Sequence, residues 1–336
     1  MRVTTQTYGQ FLVNGVDNFT GTYFADIVEG LKHDSVWRHL NGSKLPSKAI
    51  WERVQKEIVY SERGYLIFDD SVLDKSGSNK IELARWQYSG NTHSTVMGIG
   101  IVNCVYFNPD LDRYWIIDAR IYQPDQDGKK KYEHLQEMML KAIERGVVFH
   151  TVLMDTWYAM TKIMCWIDRL GYKFVCPIRS NRLVLDWWTD PEKPKYRGVK
   201  ELPWEAQCTE GVIGKLKECS LELKLFRLSV HSNRTDYVVT NDLKKIGTSE
   251  DATKACAFRW KIEQYHREAK QTTGIGKCQA RNSKAQRKHI ITSILAWIVL
   301  EAQARAKNMT IYALKNEPLK RFQSLIWRRP YTAFST

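Results

Sequence analysis

The chain has 336 residues, 43% of them hydrophobic and 26% charged, a composition that excludes disorder and collagen-like repeats and is typical of a globular protein. Its 51 basic and 37 acidic residues give a net charge of +14, which favours a polyanionic partner, nucleic acid first and anionic membrane second. The longest apolar run, residues 290–300, is shorter than the ~20 residues that cross a bilayer. Because no secretory leader is recognised either, we expect a cytoplasmic protein without a membrane partner.

The first region, residues 1–62, is predicted to be helical. Short amphipathic segments at 23–31, 35–40 and 47–60 are separated by polar turns, as in a small helical domain.

The next region, residues 63–178, is predicted to be α/β. Its first strand is an apolar run that we expect to end abruptly at Asp69 and Asp70. Three strands followed by alternating helices and strands indicate a mixed sheet. The predicted elements are strands at 65–68, 95–107 and 113–121, a helix at 131–145, a strand at 147–154, a helix at 159–170 and a strand at 172–178.

The pattern changes again at residues 179–249, where proline, tryptophan and charged residues are mixed with two alternating runs. We interpret this segment as a β-rich insertion. Helical periodicity returns afterwards, with helices predicted at 251–272 and 285–306.

Two aspartates fall where predicted strands end. Asp69 follows the first strand and Asp155 follows the fourth, so a sheet that places these strands side by side brings both carboxylates to one edge. The carboxyl ends of strands are where α/β sheets build sites.

A third carboxylate, Glu263, is selected by helical geometry. At 100° per residue, Arg259, Glu263, Arg267 and Lys270 fall within about 80° of one another. A carboxylate flanked by cations on one helix face suits a phosphodiester, because carboxylates hold divalent cations while basic side chains hold phosphates. The alternative is an ordinary solvated ion pair between residues four apart, and from spacing alone both interpretations stay open.

These residues resemble those of a known family. Arg259-x3-Glu263-x6-Lys270 has the spacing of the YREK signature of bacterial insertion-sequence transposases with a DDE, RNase H-like catalytic core. Phe68-Asp69-Asp70-Ser71 is similar to the family's first aspartate box and Asp155-Thr156-Trp157-Tyr158 to its second, and Gln87-Tyr88-Ser89-Gly90 is also similar to members of this group. The resemblance covers residues 20–305.

The resemblance implies an RNase H-like mixed-sheet core, interrupted by the β-rich insertion between the second Asp and the Glu and preceded by a helical domain. The implied division is 1–62, helical DNA-binding domain; 63–178, first part of the core; 179–249, insertion; 250–306, second part of the core with the catalytic Glu helix; and 307–336, basic tail.

The resemblance also implies the chemistry. Asp69, Asp155 and Glu263 would be the catalytic metal ligands, for two Mg²⁺ ions with Mn²⁺ as a substitute. The enzyme would cut DNA at terminal inverted repeats and join the ends to target DNA as a homodimer associated with the nucleoid. Residues expected to contact DNA or its phosphates are Arg259, Arg267, Lys270, Trp157 and Tyr158.

Some alternatives stay open. Cys256 stands where the signature has tyrosine, and Asp70 competes with Asp69 as first ligand, although Ser71 favours Asp69. Trp157 and Tyr158 suit either base stacking or the core. Rival functions are a nuclease without strand transfer and a catalytically inactive, transposase-derived DNA-binding protein.

Charge is distributed unevenly along the chain. Residues 1–62 hold seven basic and seven acidic residues, whereas residues 254–336 hold 17 basic and four acidic ones. DNA affinity should therefore come mainly from the C-terminal part and fall with salt. Deleting residues 1–62 is expected to cost sequence selectivity more than total binding.

Overall fold

The computed structural model describes residues 2–90, 92–204, 209–230 and 234–328. Residues 205–208, which include Cys208, and 231–233 of the predicted insertion lie outside these ranges, as do residues 329–336 of the predicted tail. The chain forms two compact units. Unit 1 comprises Met1–Lys56, Ser71–Ile101 and Tyr265–Thr336, and unit 2 comprises Glu57–Asp70 and Val102–Gln264. The five-part division in chain order stays a prediction.

The α-helices of the described chain are α1 Thr5–Asn14, α2 Gly21–Ile27, α3 His33–Asn41, α4 Lys48–Val54, α5 Pro124–Asp127, α6 Lys131–Glu144, α7 Thr161–Arg169, α8 Ser249–Phe258, α9 Trp260–Thr272, α10 Ser283–Ala306 and α11 Ile311–Arg328. The strands are β1 Tyr65–Asp74, β2 Arg85–Ser89, β3 Ser94–Asn108, β4 Arg113–Tyr122, β5 Thr151–Met154, β6 Lys173–Ile178, β7 Leu183–Asp186, β8 Lys195–Gly198, β9 Val212–Gly214, β10 Leu223–Val230 and β11 Arg234–Thr240.

Unit 2 is built on a mixed sheet in the order β4-β3-β1-β5-β6-β11-β10-β9. β1, β5 and β6 run parallel, whereas β11, β10 and β9 continue the sheet in antiparallel fashion. Helix α6 packs on β4, α7 on β6, and α8 on β6 and β10. The predicted mixed-sheet α/β fold is confirmed, and the β-rich segment consists of the β7-β8 hairpin and the strands that extend the sheet.

Strand β1 is longer than predicted. The expected end at Asp69 and Asp70 is wrong, because the strand continues to Asp74. Its neighbour β5 ends at Met154, but backbone pairing continues on the β3 side, where the Lys75 amide donates to the Met97 carbonyl (2.8 Å). Beyond the end of β5, β1 still has β3 as a hydrogen-bonded neighbour. The strand can therefore continue with polar residues, although a segment buried on both faces would need apolar ones.

Two further elements were missed, and the bounds of two others differ from the predictions. Helix α1 and strand β2 were not predicted, and the strand predicted at 147–154 begins only at Thr151. The helix predicted at 251–272 is divided at Arg259. The Arg259 amide donates to the Cys256 carbonyl (3.1 Å) and the Ile262 amide to the Arg259 carbonyl (3.2 Å), and this tighter three-residue spacing interrupts the α-helical pattern.

Unit 1 has a core shared by the N-terminal helices and α10, which contacts α1, α3 and α4. Much of α10 is buried, which explains its long apolar run. Among the described residues, no helix is long and apolar enough to span a membrane. The buried cluster consists of Val3, Tyr8, Phe11, Leu12, Phe19, Phe24, Leu31, Val36, Leu40, Ala285 and Ala296.

Buried basic side chains tie the ends of helices in unit 1 to their neighbours. Lys288 of α10 donates to the His39 carbonyl in the last turn of α3 (2.8 Å). Lys315 of α11 donates to the carbonyls of Leu12 (2.8 Å) and Val13 (2.5 Å) in the last turn of α1. These ammonium groups donate to carbonyl oxygens of the last helical turn, where the regular intrahelical donors run out.

Candidate active site

Asp69 and Asp155 come together at neighbouring strands of unit 2. The parallel register pairs Phe68 with Met154, so the next residue on each strand is an aspartate. Burial and the carboxylate of Asp155 raise the pKa of Asp69 well above its ordinary value, and Arg259 opposes this rise. Burial, with a contribution from Asp70, raises the pKa of Asp155 to about 6. The two carboxylates are therefore close enough to repel each other.

The Asp155 carboxylate is held by the chain that follows it. Its Oδ1 accepts hydrogen bonds from the backbone amides of Trp157 (3.0 Å) and Tyr158 (3.3 Å). Such a turn fixes the side chain where the strand passes into a loop.

Asp70 has different partners from Asp69. Its carboxylate accepts from Lys131 Nζ (2.6 Å) and from the Tyr158 hydroxyl (2.9 Å). A carboxylate with an ion pair and a hydrogen bond in place is a structural partner for α6 and for the turn after β5. This engagement favours Asp69 as the carboxylate that faces Asp155.

Arg259 links the third predicted carboxylate to the first. Its Nη2 lies 2.5 Å from Glu263 Oε1, and its Nη1 lies 3.8 Å from Asp69 Oδ2. The ion pair between residues four apart that the alternative interpretation expects is thus present, with the arginine and glutamate side chains each about 30% exposed. The predicted neighbours Arg259, Glu263 and Asp69 are thus joined through a guanidinium.

The donor set fits a hard divalent cation. Aspartate and glutamate oxygens are the ligands that Mg²⁺ prefers, and a carboxylate whose pKa is raised by a neighbouring carboxylate, as that of Asp69 is by Asp155, gains from a nearby cation. In the part of the chain that the structure describes, however, no three such side chains lie together as a ready-made metal site. Arg259 provides the positive charge near Asp69 and Glu263 in this state.

Two other predicted phosphate-binding residues lie further along α9, in unit 1. Arg267 is exposed and Lys270 is half-buried. Arg267 interacts with Tyr312 of α11. Their place relative to the carboxylates of unit 2 stays a prediction.

The aromatic residues after Asp155 have different environments. Trp157 is 58% exposed, and the Arg179 guanidinium lies 5.2 Å from its ring centroid. Tyr158 is only 2% exposed and donates to Asp70, so the stacking prediction is wrong for it and its core alternative holds. Arg179 was missed by sequence reasoning, because only the fold brings it to the tryptophan.

Cys256, at the tyrosine position of the signature, is half-buried. Burial raises the pKa of its thiol to about 12, so the thiol stays protonated at neutral pH. The exposed aromatic nearest in sequence is Trp260, 54% exposed at the start of α9, which the sequence reasoning did not single out.

The sheet and its acidic residues define the class of protein: an RNase H-like core of the DDE type. A family model described as "Transposase DDE domain" matches residues 66–299, which is more than half of the chain, so the chain belongs to this family. No curated protein matches the chain. Membership implies DNA binding and the general use of divalent metal ions by such transposases.

Proposed function

We propose that this protein is a DNA transposase that cleaves phosphodiester bonds at the ends of its element and joins the freed 3′-hydroxyl to target DNA. The observation that carries the proposal is the repelling pair Asp69 and Asp155 on adjacent parallel strands, connected through Arg259 to Glu263. Structural ion pairs rarely leave two carboxylates facing each other, whereas sites for catalysis do.

Asp69, Asp155 and Glu263 would hold the metal, as two Mg²⁺ ions with Mn²⁺ as a substitute. When bound, the metal supplies activation of the attacking oxygen and stabilisation of the leaving one. Once the carboxylates are neutralised, the Arg259 guanidinium is available to pair with a phosphate, a geometry that arginine favours.

Other side chains would position DNA. Trp157, with Arg179 beside its ring, suits a displaced base, while Arg267 and Lys270 suit phosphates. The substrates are terminal inverted repeats and target DNA. Pairing of two ends calls for a homodimer in the DNA complex, in the cytoplasm at the nucleoid.

The test is Glu263→Gln, which keeps the size of the side chain and removes its charge. Metal-dependent cleavage of duplex DNA carrying the element's ends should fall by about 10³-fold or more, as for other residues that act as part of a reacting unit, while DNA binding measured in EDTA stays within a few-fold. The matched control is Glu250→Gln on α8, whose exposed pair with Lys254 should not affect cleavage. Full cleavage by Glu263→Gln would contradict the assignment.

A joining assay distinguishes the rival functions. Cleaved ends with a free 3′-hydroxyl are mixed with target plasmid, and covalent products are counted. Cleavage without joining indicates a nuclease, and binding without metal-dependent nicking by the wild-type protein indicates an inactive DNA-binding protein.

A further inference from the structure

Strand β2 of unit 1 exposes its aromatic residues and turns its polar residues inward. Trp86 is 68% exposed and Tyr88 is 46% exposed, whereas Ser89 is only 7% exposed. Gln87 also faces the protein, and its Nε2 donates to the Gly98 carbonyl (2.8 Å). A half-buried strand ordinarily places its aromatic residues against the core and its polar residues in water, so this strand is inverted.

The inversion is fixed by the register of the β2-β3 hairpin. Trp86 pairs with Met97 and Tyr88 with Thr95. A shift of one residue would exchange the two faces of β2. The fold therefore forgoes the burial of two large rings, and exposed apolar groups that are held in place in this way mark a binding surface.

The two rings have a spacing that suits nucleotide bases. Residues two apart on a strand are about 7 Å apart and project from the same face. Aromatic side chains presented on a sheet stack on unpaired bases in several nucleic-acid-binding folds, and such stacking tolerates any base sequence. Paired bases inside a duplex do not offer their faces in this way.

Basic residues of the same unit lie near the start of β2. The Glu82 amide donates to the Arg281 carbonyl (3.0 Å), and Glu82 Oε2 accepts from the Ser283 amide (2.8 Å), which holds the segment before β2 against the beginning of α10. The segment from Glu82 to Trp86 spans at most about 14 Å. This distance corresponds to about four nucleotides along one DNA strand. Around that junction the side chains of Lys277, Arg281 and Lys284 are exposed.

We propose that Trp86 and Tyr88 form an aromatic platform that stacks on unpaired bases of a DNA strand, while Lys277, Arg281 and Lys284 hold its phosphates. The platform goes beyond the proposed function, because it requires binding of a strand with unstacked bases and no catalysis.

The experiment compares a fluorescent 20-nucleotide oligo(dT) with a 20-base-pair duplex, by anisotropy in EDTA. Trp86→Ala/Tyr88→Ala should weaken binding of the single strand by about 10- to 100-fold, as expected for lost stacking, and binding of the duplex by less than threefold. Trp86→Phe/Tyr88→Phe should restore most of the affinity for the single strand. Tyr196→Ala, which removes an aromatic residue of 47% exposure from β8, is the matched control and should change neither affinity.

The cations are tested separately. Arg281→Gln/Lys284→Gln should weaken binding of both DNAs and reduce the slope of affinity against salt by about two.

Three outcomes overturn the platform: unchanged binding of the single strand by the double alanine variant, equal loss for both DNAs, or a changed oligomeric state of that variant by light scattering, which would make the face a contact between copies. Since EDTA blocks metal-dependent cleavage, a chain that never cleaves can still pass this test. A chain that cleaves and joins can equally fail it, so the two proposals fail independently.

Discussion

At the scale of single residues, Asp155 is one of two buried carboxyls of the site, with Asp69, whose pKa burial raises. The folded chain holds the Asp155 carboxyl at a pKa of about 6, above the ordinary 3.8, mainly because of burial. Between these values the folded state binds more protons than the unfolded state, so the free energy of unfolding falls as pH rises from about 4 to 6 and stays reduced above it. The buried Asp155 carboxylate is thus destabilising at neutral pH.

Asp155→Asn should therefore stabilise the metal-free protein. Asparagine keeps an Oδ1 acceptor for the amides of Trp157 and Tyr158 and carries no charge. We expect a gain on the order of 1–3 kcal/mol at pH 7.5, from the pKa difference, that disappears near pH 4. Urea unfolding in EDTA at both pH values measures it. A variant that is less stable than wild type at pH 7.5 would show that Asp155 is not strained.

The candidate residues of the site were chosen from the sequence, and their catalytic and metal-binding roles stay predictions. Asp69, Asp155 and Glu263 were selected by strand ends and helix periodicity. The contact of Arg259 with two carboxylates could not be predicted from the sequence. An arginine at helical spacing predicts one partner on its own helix, whereas the second partner, Asp69, lies on β1. The pairing of Asp70 with Lys131 likewise joins residues 61 positions apart.

At the scale of elements, α11 is fastened to α1 through Lys315. Burial lowers the pKa of its ammonium group to about 7, well below the ordinary 10.5. The unfolded state then binds more protons between pH 7 and about 10.5, so the free energy of unfolding rises with pH across that window and the cost of the buried charge is greatest below it.

Lys315→Met tests this attachment. The variant loses two hydrogen bonds to the last turn of α1, which should lower stability at high pH, but it also loses the buried charge. We compare the free energy of unfolding of the variant with that of the wild type. The variant should gain on the wild type by on the order of 1–3 kcal/mol when the pH is lowered from 9.5 to 6.5. Denaturation at the two pH values measures the difference, and a pH-independent difference would mean that the ammonium group is solvated.

Elements were predicted best where one periodicity dominates. β4 and α6 agree with the expected bounds to within a residue or two, because β4 is one continuous buried run and the buried positions of α6 recur at helical spacing. α1 was missed although a reciprocal cap between Thr4 and Thr7 begins it and Tyr8, Phe11 and Leu12 are buried at helical spacing, because so short an apolar stripe is a weak signal in the sequence. β2 was missed because its outward aromatic residues reverse the usual meaning of alternation.

At the scale of the whole molecule, the N-terminal segment is part of a larger core. Nine of the eleven buried side chains in the cluster with α10 belong to residues 3–40. The deletion of residues 1–62 expected to affect selectivity therefore also removes most of this core, and recognition is better tested by exposed substitutions.

A chain beginning at residue 57 should lose the cooperative folding of unit 1. Without α1 to α4, the apolar face of α10 is exposed to water and the ammonium group of Lys288 loses its acceptor on α3. Both changes lower the free energy of unfolding of unit 1. Limited proteolysis should cut residues 265–328 rapidly in the truncated chain and slowly in the full one. Equal protection of this segment in both would contradict the shared core.

The sequence by itself determined the fold class, the family resemblance and the carboxylates of the candidate site, since periodicity, strand ends and motif spacing are local properties of the chain. The tertiary structure decided that Asp70 pairs with Lys131 and Tyr158, that Tyr158 is buried, that Arg259 contacts two carboxylates, and that the N-terminal helices share a core with α10. These outcomes depend on contacts between residues tens to hundreds of positions apart, whose geometry is set only when the sheet and helices pack.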